Sequence, residues 1–416
     1  MLLTLNFDIF KDKTQLLLNI MKSKQIKASE KNIILKTNSD GVEFYAFAPT
    51  IVARTFLSND VIEMSNIVEN ELLSIPVSHL DTLLTAFISD ISTPIDITIS
   101  KISDMEIMFK VTEELDIDGE VTTNENVNSV QTLPVKANIL KRLEIFNEVD
   151  SENENFSGMR PLSSNEWALA SALTTDILPY ILDKNVKTAG ASFKEDFVTV
   201  CDRSYMLRYE NTIKDILPEA HIGYHGVSTL RDVLNSVADD VPEEGNAPID
   251  TYFSSDLNVL FVKILNSDTE LALQGSRNLV VVADMFKYFT GNNTLSVTRK
   301  LLMTFIARMK ALNTKSGVVK VRFVVDEAIS HITVSTDDFE SVLPIINSNS
   351  TETDFFKDGL KNFTFEITLN QLENSLFGGK EGYDDDYSIG IECVNNSYLA
   401  KIYDGSDKWA LTFQLR

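Results

Sequence analysis

The apolar positions of this chain follow two rhythms. One is helical, with apolar residues three and four apart, and the other is the two-residue alternation of strands. Residues 75–88, "IPVSHLDTLLTAFI", show the first, with a stripe of Leu80, Leu83, Leu84, Phe87 and Ile88. Ser78 stands before the stripe as the expected N-cap, and Pro76 closes the extended segment leading in. The alternating runs "PIDITISKI" and "MEIMFKV" follow as strands.

The same succession returns twice. Residues 226–240, "GVSTLRDVLNSVADD", carry Leu230, Val233, Leu234 and Val237 with Ser228 at the cap, before "PIDTYFS", "NVLFVKIL" and "TELALQG". Residues 367–380, "ITLNQLENSLFGGK", carry Leu372, Leu376 and Phe377 with Asn370 at the cap, before "YSIGIECV", "SYLAKIY" and "WALTFQL". The cap positions lie 150 and 142 residues apart, so Pro-Ile-Asp at 94–96 and 248–250 opens the same strand in two copies of one unit.

Each third also has an earlier helix followed by a hairpin. "KDKTQLLLNIMK" precedes "KNIILKTNSDGVEFYAFA", with Asp40-Gly41 as a tight turn. "SSNEWALASALTTDILPYI" precedes "TAGASFKEDFVTVCDRSYMLRYE", and Ser163 and Glu166 have capping-box spacing. "VTRKLLMTFIARMKAL" precedes "VVKVRFVVDEAISHITVS". The chain therefore reads as six β-α-β-β-type units, two per domain, in three like-folded domains at 1–156, 157–290 and 291–416. The class is α+β, each domain with two helices packed on antiparallel sheets, since no βαβ alternation suggests a parallel one. "TEELDIDGEVTTNENVNS" and "NEVDSENENFSGMRP" read as polar, acidic, turn-rich stretches near the first boundary, and "VKANILKRLEIF" between them as the end of domain 1. "FKYFTGNNTLSV" marks the second boundary, and "NSNSTETDFFKDG" reads as a surface insertion in domain 3.

Charge and composition narrow the picture. The chain has 416 residues and a net charge of −24, which opposes indiscriminate coating of nucleic acid but allows a local basic patch. No apolar run approaches the roughly 18–20 residues that span a bilayer, and the N-terminus lacks signal-peptide features, so no membrane role is expected. Two cysteines, Cys201 and Cys393, read as small core side chains in a reducing, intracellular setting. The four histidines, His79, His221, His225 and His331, have no metal-ligand company, and His221 and His225 fall in a loop-like "EAHIGYHG". There is no P-loop, nucleophile elbow or Gly-rich dinucleotide turn, and "YDDDY" at 383–387 reads as a solvated turn. The expectation is a non-enzyme with no cofactor and no metal.

In element order and in local motifs, the chain resembles the bacterial-type β sliding clamps of DNA replication. "FKDKTQLLLNIM" stands where that family's first helix stands, "VEFYAFAPTIVARTFL" resembles its first hairpin, and "IPVSHLDTLLTAF" the opening of its second helix. "DFVTVCDRSYMLRY" resembles the strand–turn–strand in which the family usually writes Thr-Asp-Gly-His-Arg-Leu, with Asp202 as the match. The chain ends on a strand, "KWALTFQLR", without the family's Pro-Met ending, as in a divergent member such as a bacteriophage would carry.

The resemblance implies a homodimeric ring that encircles duplex DNA, without sequence preference, and tethers a DNA polymerase after placement by a clamp loader. The setting it implies is the cytoplasm of a bacterial or phage-infected cell. The DNA contacts it implies are Lys and Arg on helices lining the hole. These are Lys22, Lys24 and Lys27 after the first helix, and Lys184, Lys187 and Arg231 in domain 2. The helix at 297–312 adds Lys300 and Arg308, which share with Thr304 the face opposite a core stripe of Leu301, Leu302, Phe305, Ile306 and Met309, and Arg299 and Lys310 beside that face. The partner-peptide pocket it implies is walled by Met206, Leu207, Phe286, Leu411, Phe413 and Leu415. Two other readings fit the residues: a β-rich structural protein such as a virion component, and a monomeric processivity factor that does not encircle DNA.

Overall fold

The computed structural model describes residues 2–22, 26, 30–66, 68–87, 95–117, 120–132, 134–146, 159–181, 190–201, 205–275, 293–312, 320–325, 330–350, 364–369, 372, 388–394, 399–404 and 410–414. The first third runs β1 (Leu2–Asn6), α1 (Phe7–Met21), β2 (Asn32–Thr37), β3 (Gly41–Ala48), β4 (Ile51–Ser58), β5 (Ile62–Ser65), β6 (Leu72–Pro76), α2 (Val77–Ala86), β7 (Ile95–Ser103), β8 (Glu106–Ile117) and β9 (Glu120–Gln131). A short helix, α3 (Ala137–Leu143), leads on. The second third runs β10 (Arg160–Ser163), α4 (Ser164–Ile177), β11 (Gly190–Phe193), β12 (Phe197–Cys201), β13 (Tyr205–Glu210), β14 (Ala220–Gly223), α5 (Tyr224–Ser236), β15 (Asn246–Ser254), β16 (Val259–Ile264) and β17 (Thr269–Gln274). The last third runs β18 (Asn293–Thr298), α6 (Arg299–Leu312), β19 (Lys320–Val325), β20 (His331–Ser335), β21 (Glu340–Ser350), β22 (Thr364–Thr368), β23 (Ser388–Val394), β24 (Leu399–Asp404) and β25 (Ala410–Gln414).

Local chemistry explains where several elements start. The extended residue Asn6 caps α1, its side chain accepting from the amides of Asp8 and Ile9 at 3.0 and 3.3 Å. The helix buries Phe7, Phe10, Leu17, Leu18 and Met21, and Phe10 meets Phe44 of β3 edge-on at 5.7 Å. At the β2–β3 turn a Cβ on Gly41 would lie 2.0 Å from the Leu57 carbonyl oxygen, so only glycine fits. The capping box of α4 forms as its spacing predicts. The Ser163 amide and hydroxyl donate to Glu166 at 2.9 and 2.8 Å, and the Glu166 amide donates back to the hydroxyl at 3.2 Å.

Other starts differ from the sequence reading. The N-cap of α2 is Pro76, with no side-chain cap bond, and Ser78 lies inside the helix, its carbonyl taking the Thr82 hydroxyl at 2.9 Å. The proline already holds φ at −62°, so the chain enters the helix directly after it. Ser228 is likewise internal, because α5 begins at Tyr224. "EAHIGYHG" is no loop: His221 is in β14 and His225 in the first turn of α5. Gly226 serves close packing there, since a Cβ would meet Ile222 Cγ2 at 2.4 Å. The acidic stretch after residue 111 is mostly strand, the paired β8 and β9. It lacks apolar alternation because residues 122–129 are exposed throughout. In the last third, Leu369 and Leu372 are helical and buried, while Asn370, Leu376 and Phe377 lie outside the described residues.

The strands form three antiparallel sheets, ordered β5-β1-β7-β8-β9, β10-β15-β16-β17-β4-β3-β2-β6, and β14-β11-β12-β13-β25-β24-β23-β18-β21-β20-β19-β22. The chain divides into two compact units, residues 1–171 with 228–276 and residues 172–227 with 277–416. These cut across the boundaries read from the repeats, because each long sheet takes strands from two successive thirds. In the first unit β4 joins β17, from Ile51 opposite Leu273 to Thr55 opposite Thr269. In the second, β13 joins β25, from Tyr205 opposite Phe413 to Leu207 opposite Leu411. Both junctions have one form: the third strand of a first hairpin set joins the last strand of the following third.

A strap covers the first junction. Leu143 of α3 and Phe146 just beyond it bury against Ile34, Tyr45, Phe47 and Val52 on one side of the seam, and against Val259, Phe261 and Ala272 on the other. The segment read as the end of domain 1 therefore binds strands of two thirds together, at the hydrophobic gain of burying large side chains.

Candidate nucleic-acid and partner interfaces

The cations predicted on helices divide by environment. On α6, Lys300, Thr304, Arg308 and Lys310 are exposed, and Arg308 makes no ion pair among the described residues. The opposite side of the helix buries Leu302, Phe305, Ile306 and Met309. Two residues depart from the expected faces: Leu301 is 39% exposed and Arg299 only 7%. Arg299 is the first residue of α6 and its guanidinium turns inward, so it belongs to the packing and not to the basic face. Lys22, the C-cap of α1, pairs with Asp81 of α2 at 2.7 Å, and Arg231 of α5 pairs with its neighbour Asp232 at 2.8 Å. Both pairs are partly exposed and so weak, but each offsets the charge a phosphate would meet. Lys24, Lys27, Lys184 and Lys187 lie outside the described residues.

Four of the positions predicted for the apolar wall lie along the second junction. Leu207 faces Leu411 across the β13–β25 pair, and Phe413 faces Tyr205. Met206 is paired with Thr412 in the same register. Of these positions Leu207 is fully buried. Phe286 and Leu415 lie outside the described residues.

Among the open strand edges of the described residues, two fall at the strand positions the junctions use, the last strand of the first third and the third hairpin strand of the last. Among the described residues β9 pairs only with β8, over its full length from Glu120 to Gln131. The 340–344 half of β21 pairs only with β20, while the rest of that strand pairs with β18. Each edge carries an apolar residue turned to solvent, Val127 in β9 at 58% and Val342 in β21 at 55% exposed. Unpaired backbone beside exposed valine is a template for another strand.

Sequence reasoning missed the charged seam of the first junction. Arg54 of β4 stands directly opposite Glu270 of β17, with Nε 2.7 Å from Oε2. Its Nη1 lies 3.7 Å from Glu43, and its guanidinium is 4.6 Å from the Phe146 ring centroid. Lys36 approaches Glu43 at 3.6 Å and Lys263 approaches Glu270 at 3.4 Å. The Tyr45 hydroxyl donates to Glu43 at 2.9 Å, and burial together with that carboxylate pushes its pKa up. The available signal was an arginine inside the apolar run "IVARTF", a charge that a strand interior holds only with a partner.

Two histidines outside that seam are shifted by their surroundings. Burial lowers the pKa of His79, which packs 5.1 Å from the Phe109 ring. Burial also lowers that of His221, with Lys194 adding to the effect. Among the described residues no three His, Cys, Asp or Glu side chains stand together as metal ligands would. No described helix is long and apolar enough to cross a membrane.

No protein-family model matches the sequence, and no curated protein sequence matches it. Solved structures do match over the full length. The chain is similar to the pol III beta of Caulobacter crescentus, with a TM-score of 0.63 at 10% identity, covering 100% of both chains. It is similar to the DNA polymerase III subunit beta of Pseudomonas aeruginosa, with a TM-score of 0.61 at 11% identity and 100% of both chains covered. The beta subunit from the DNA polymerase of Streptococcus pyogenes gives 0.59 at 10% identity, again over 100% of both. The chain has the fold of the β sliding clamps.

Proposed function

We propose that this chain is a DNA sliding clamp, a processivity factor without enzymatic activity that closes as a head-to-tail ring of two copies around duplex DNA. The observation that carries the reading is the repeated junction. The β4–β17 and β13–β25 pairs use the same two strand positions of the repeat. By that rule the 340–344 edge of β21 calls for β9, and both edges are unpaired among the described residues. Pairing β21 of one copy with β9 of the next, twice, closes the structure and consumes both edges. Val127 and Val342 then leave solvent together.

In this reading the three domains are the three repeats, and the exposed face of α6 meets phosphates through Lys300, Arg308 and Lys310. Lys22 and Arg231 add to it after exchanging their carboxylate partners for phosphate, with Lys24, Lys27, Lys184 and Lys187 as further cations. The net charge of −24 keeps DNA off every other surface. A polymerase peptide docks beside the last strand, on the face that holds Leu411 and Phe413, and a clamp loader opens the ring in bacterial or phage-infected cytoplasm.

The test is topological. The protein is mixed with nicked circular duplex and passed through a sizing column in high salt. Retention on the circle and its loss after a single cut support encirclement. Binding that falls equally with salt on circle and cut DNA overturns it.

A further inference from the structure

A cavity of about 220 Å³ opens beside the strap of the first junction. Phe47 and Pro49 at the β3–β4 turn and Val135 and Ile139 of the strap supply its apolar walls. Arg142 of α3 lines it too. One guanidinium nitrogen, Nη2, donates to the carbonyls of Ala48 and Ile51, the second at 3.2 Å, and the group lies 5.7 Å from the Phe47 ring centroid. Among the described residues Arg142 has no carboxylate partner. Burial pulls its pKa down.

A guanidinium carries five donors in a fork that suits a carboxylate, and the two carbonyls engage only one of its nitrogens. A buried charge with no carboxylate partner among the described residues is costly to keep, so it favours an anion that enters with apolar surface. Lys136 lines the same cavity, and among the described residues Glu30 is the one acid in its walls. Two cations at one apolar recess stand out in a chain of net charge −24. The volume sets the size of the guest. Pockets for drug-sized ligands run to roughly 300–1,000 Å³, so this one suits a single residue. One residue brings both an apolar side chain and a carboxylate when it ends a polypeptide.

We propose that this cavity docks the C-terminal residue of a partner protein, with its α-carboxylate on Arg142 and its apolar side chain between Phe47 and Ile139. The inference does not depend on ring closure, so either can fail alone. The test uses the full chain, with methyl-labelled valine and isoleucine, titrated with N-acetyl-Gly-Ser-Leu as the free acid and as the C-terminal amide. The acid should shift the Val135 and Ile139 methyl signals saturably, and the amide should bind at least tenfold more weakly. R142Q keeps a donor for the two carbonyls but loses the charge. It should melt at the wild-type temperature and bind acid and amide alike. V135W, which fills the cavity, should abolish the Ile139 response to acid and amide. Equal binding of acid and amide by the wild type, or no saturable shift at millimolar peptide, overturns the proposal. So does a C-terminally amidated peptide with an internal Glu-Leu pair that binds as well as the free acid, since the guest would then not be a chain end.

Discussion

Removing Arg54 should open the first junction. Its guanidinium touches Glu270 across the seam and lies near Glu43 on its own side, and the three side chains are only 13–16% exposed. Stripping one partner from a buried ion pair costs about 3–5 kcal/mol. Here Lys263 and Lys36 remain to hold the two carboxylates, and some solvent reaches them. The expected cost of Arg54→Met is therefore about 2–3 kcal/mol. Glu270→Leu should cost less, about 1–2 kcal/mol, because Arg54 keeps Glu43 and the Phe146 ring. The double variant replaces the pair with apolar side chains beside an already apolar strap, so it should cost about 1 kcal/mol or less. Hydrogen exchange of the β4 and β17 amides in increasing urea reads the opening free energy of this seam. Strong non-additivity is expected, with the double variant more stable than Arg54→Met. Costs that simply add, or an Arg54→Met effect below about 0.5 kcal/mol, would refute the role given to Arg54.

Three further outcomes follow from the same geometry. The Arg160 guanidinium at 2.8 Å, helped by the Ser163 amide and hydroxyl, holds the Glu166 carboxyl at about 2, well below its ordinary 4.5. A depressed folded-state pKa stabilises above the unfolded value, so this support for α4 should fade as pH falls from about 4.5 to about 2. An NMR titration of the Glu166 carboxyl carbon with its midpoint near 4.5 would contradict this, and Glu166→Gln should remove that part of the acid sensitivity. If α6 meets phosphates, Lys300→Ala with Arg308→Ala should flatten the log–log salt dependence of DNA binding by about 0.9 for each phosphate no longer neutralised, whereas Arg299→Ala should lower the melting temperature and leave the slope unchanged. Val342→Asp places a charge on the β21 edge and should shift the solution mass toward 46.6 kDa without changing the monomer's melting temperature, which a sedimentation series would show.

Much of the fold was legible because it is local. The stripe of α1, the Asp40-Gly41 turn and the Ser163–Glu166 box depend on residues a few positions apart. The false caps were also local signals, outweighed by others: Pro76 starts α2 before Ser78 can, and Gly226 marks tight packing on Ile222 where it looked like a loop. The junctions were not legible. Arg54 and Glu270 are 216 residues apart, and no periodicity connects them. The apolar wall shows the limit at the site. Leu411 and Phe413 stand two positions apart in one strand, which the sequence shows, but only the register with β13 sets Leu207 opposite Leu411. The strap was hidden for a related reason, since its stripe serves two thirds of the chain at once.

Everything proposed for DNA rests on ring closure through β9 and β21. Negative-stain images of the purified protein, with the solution mass measured on the same sample, test that closure without intermediary. Closed rings near twice 46.6 kDa, with a hole wide enough for duplex DNA, are the expected outcome. Compact particles without a hole, or a mass of 46.6 kDa at every concentration, would contradict it.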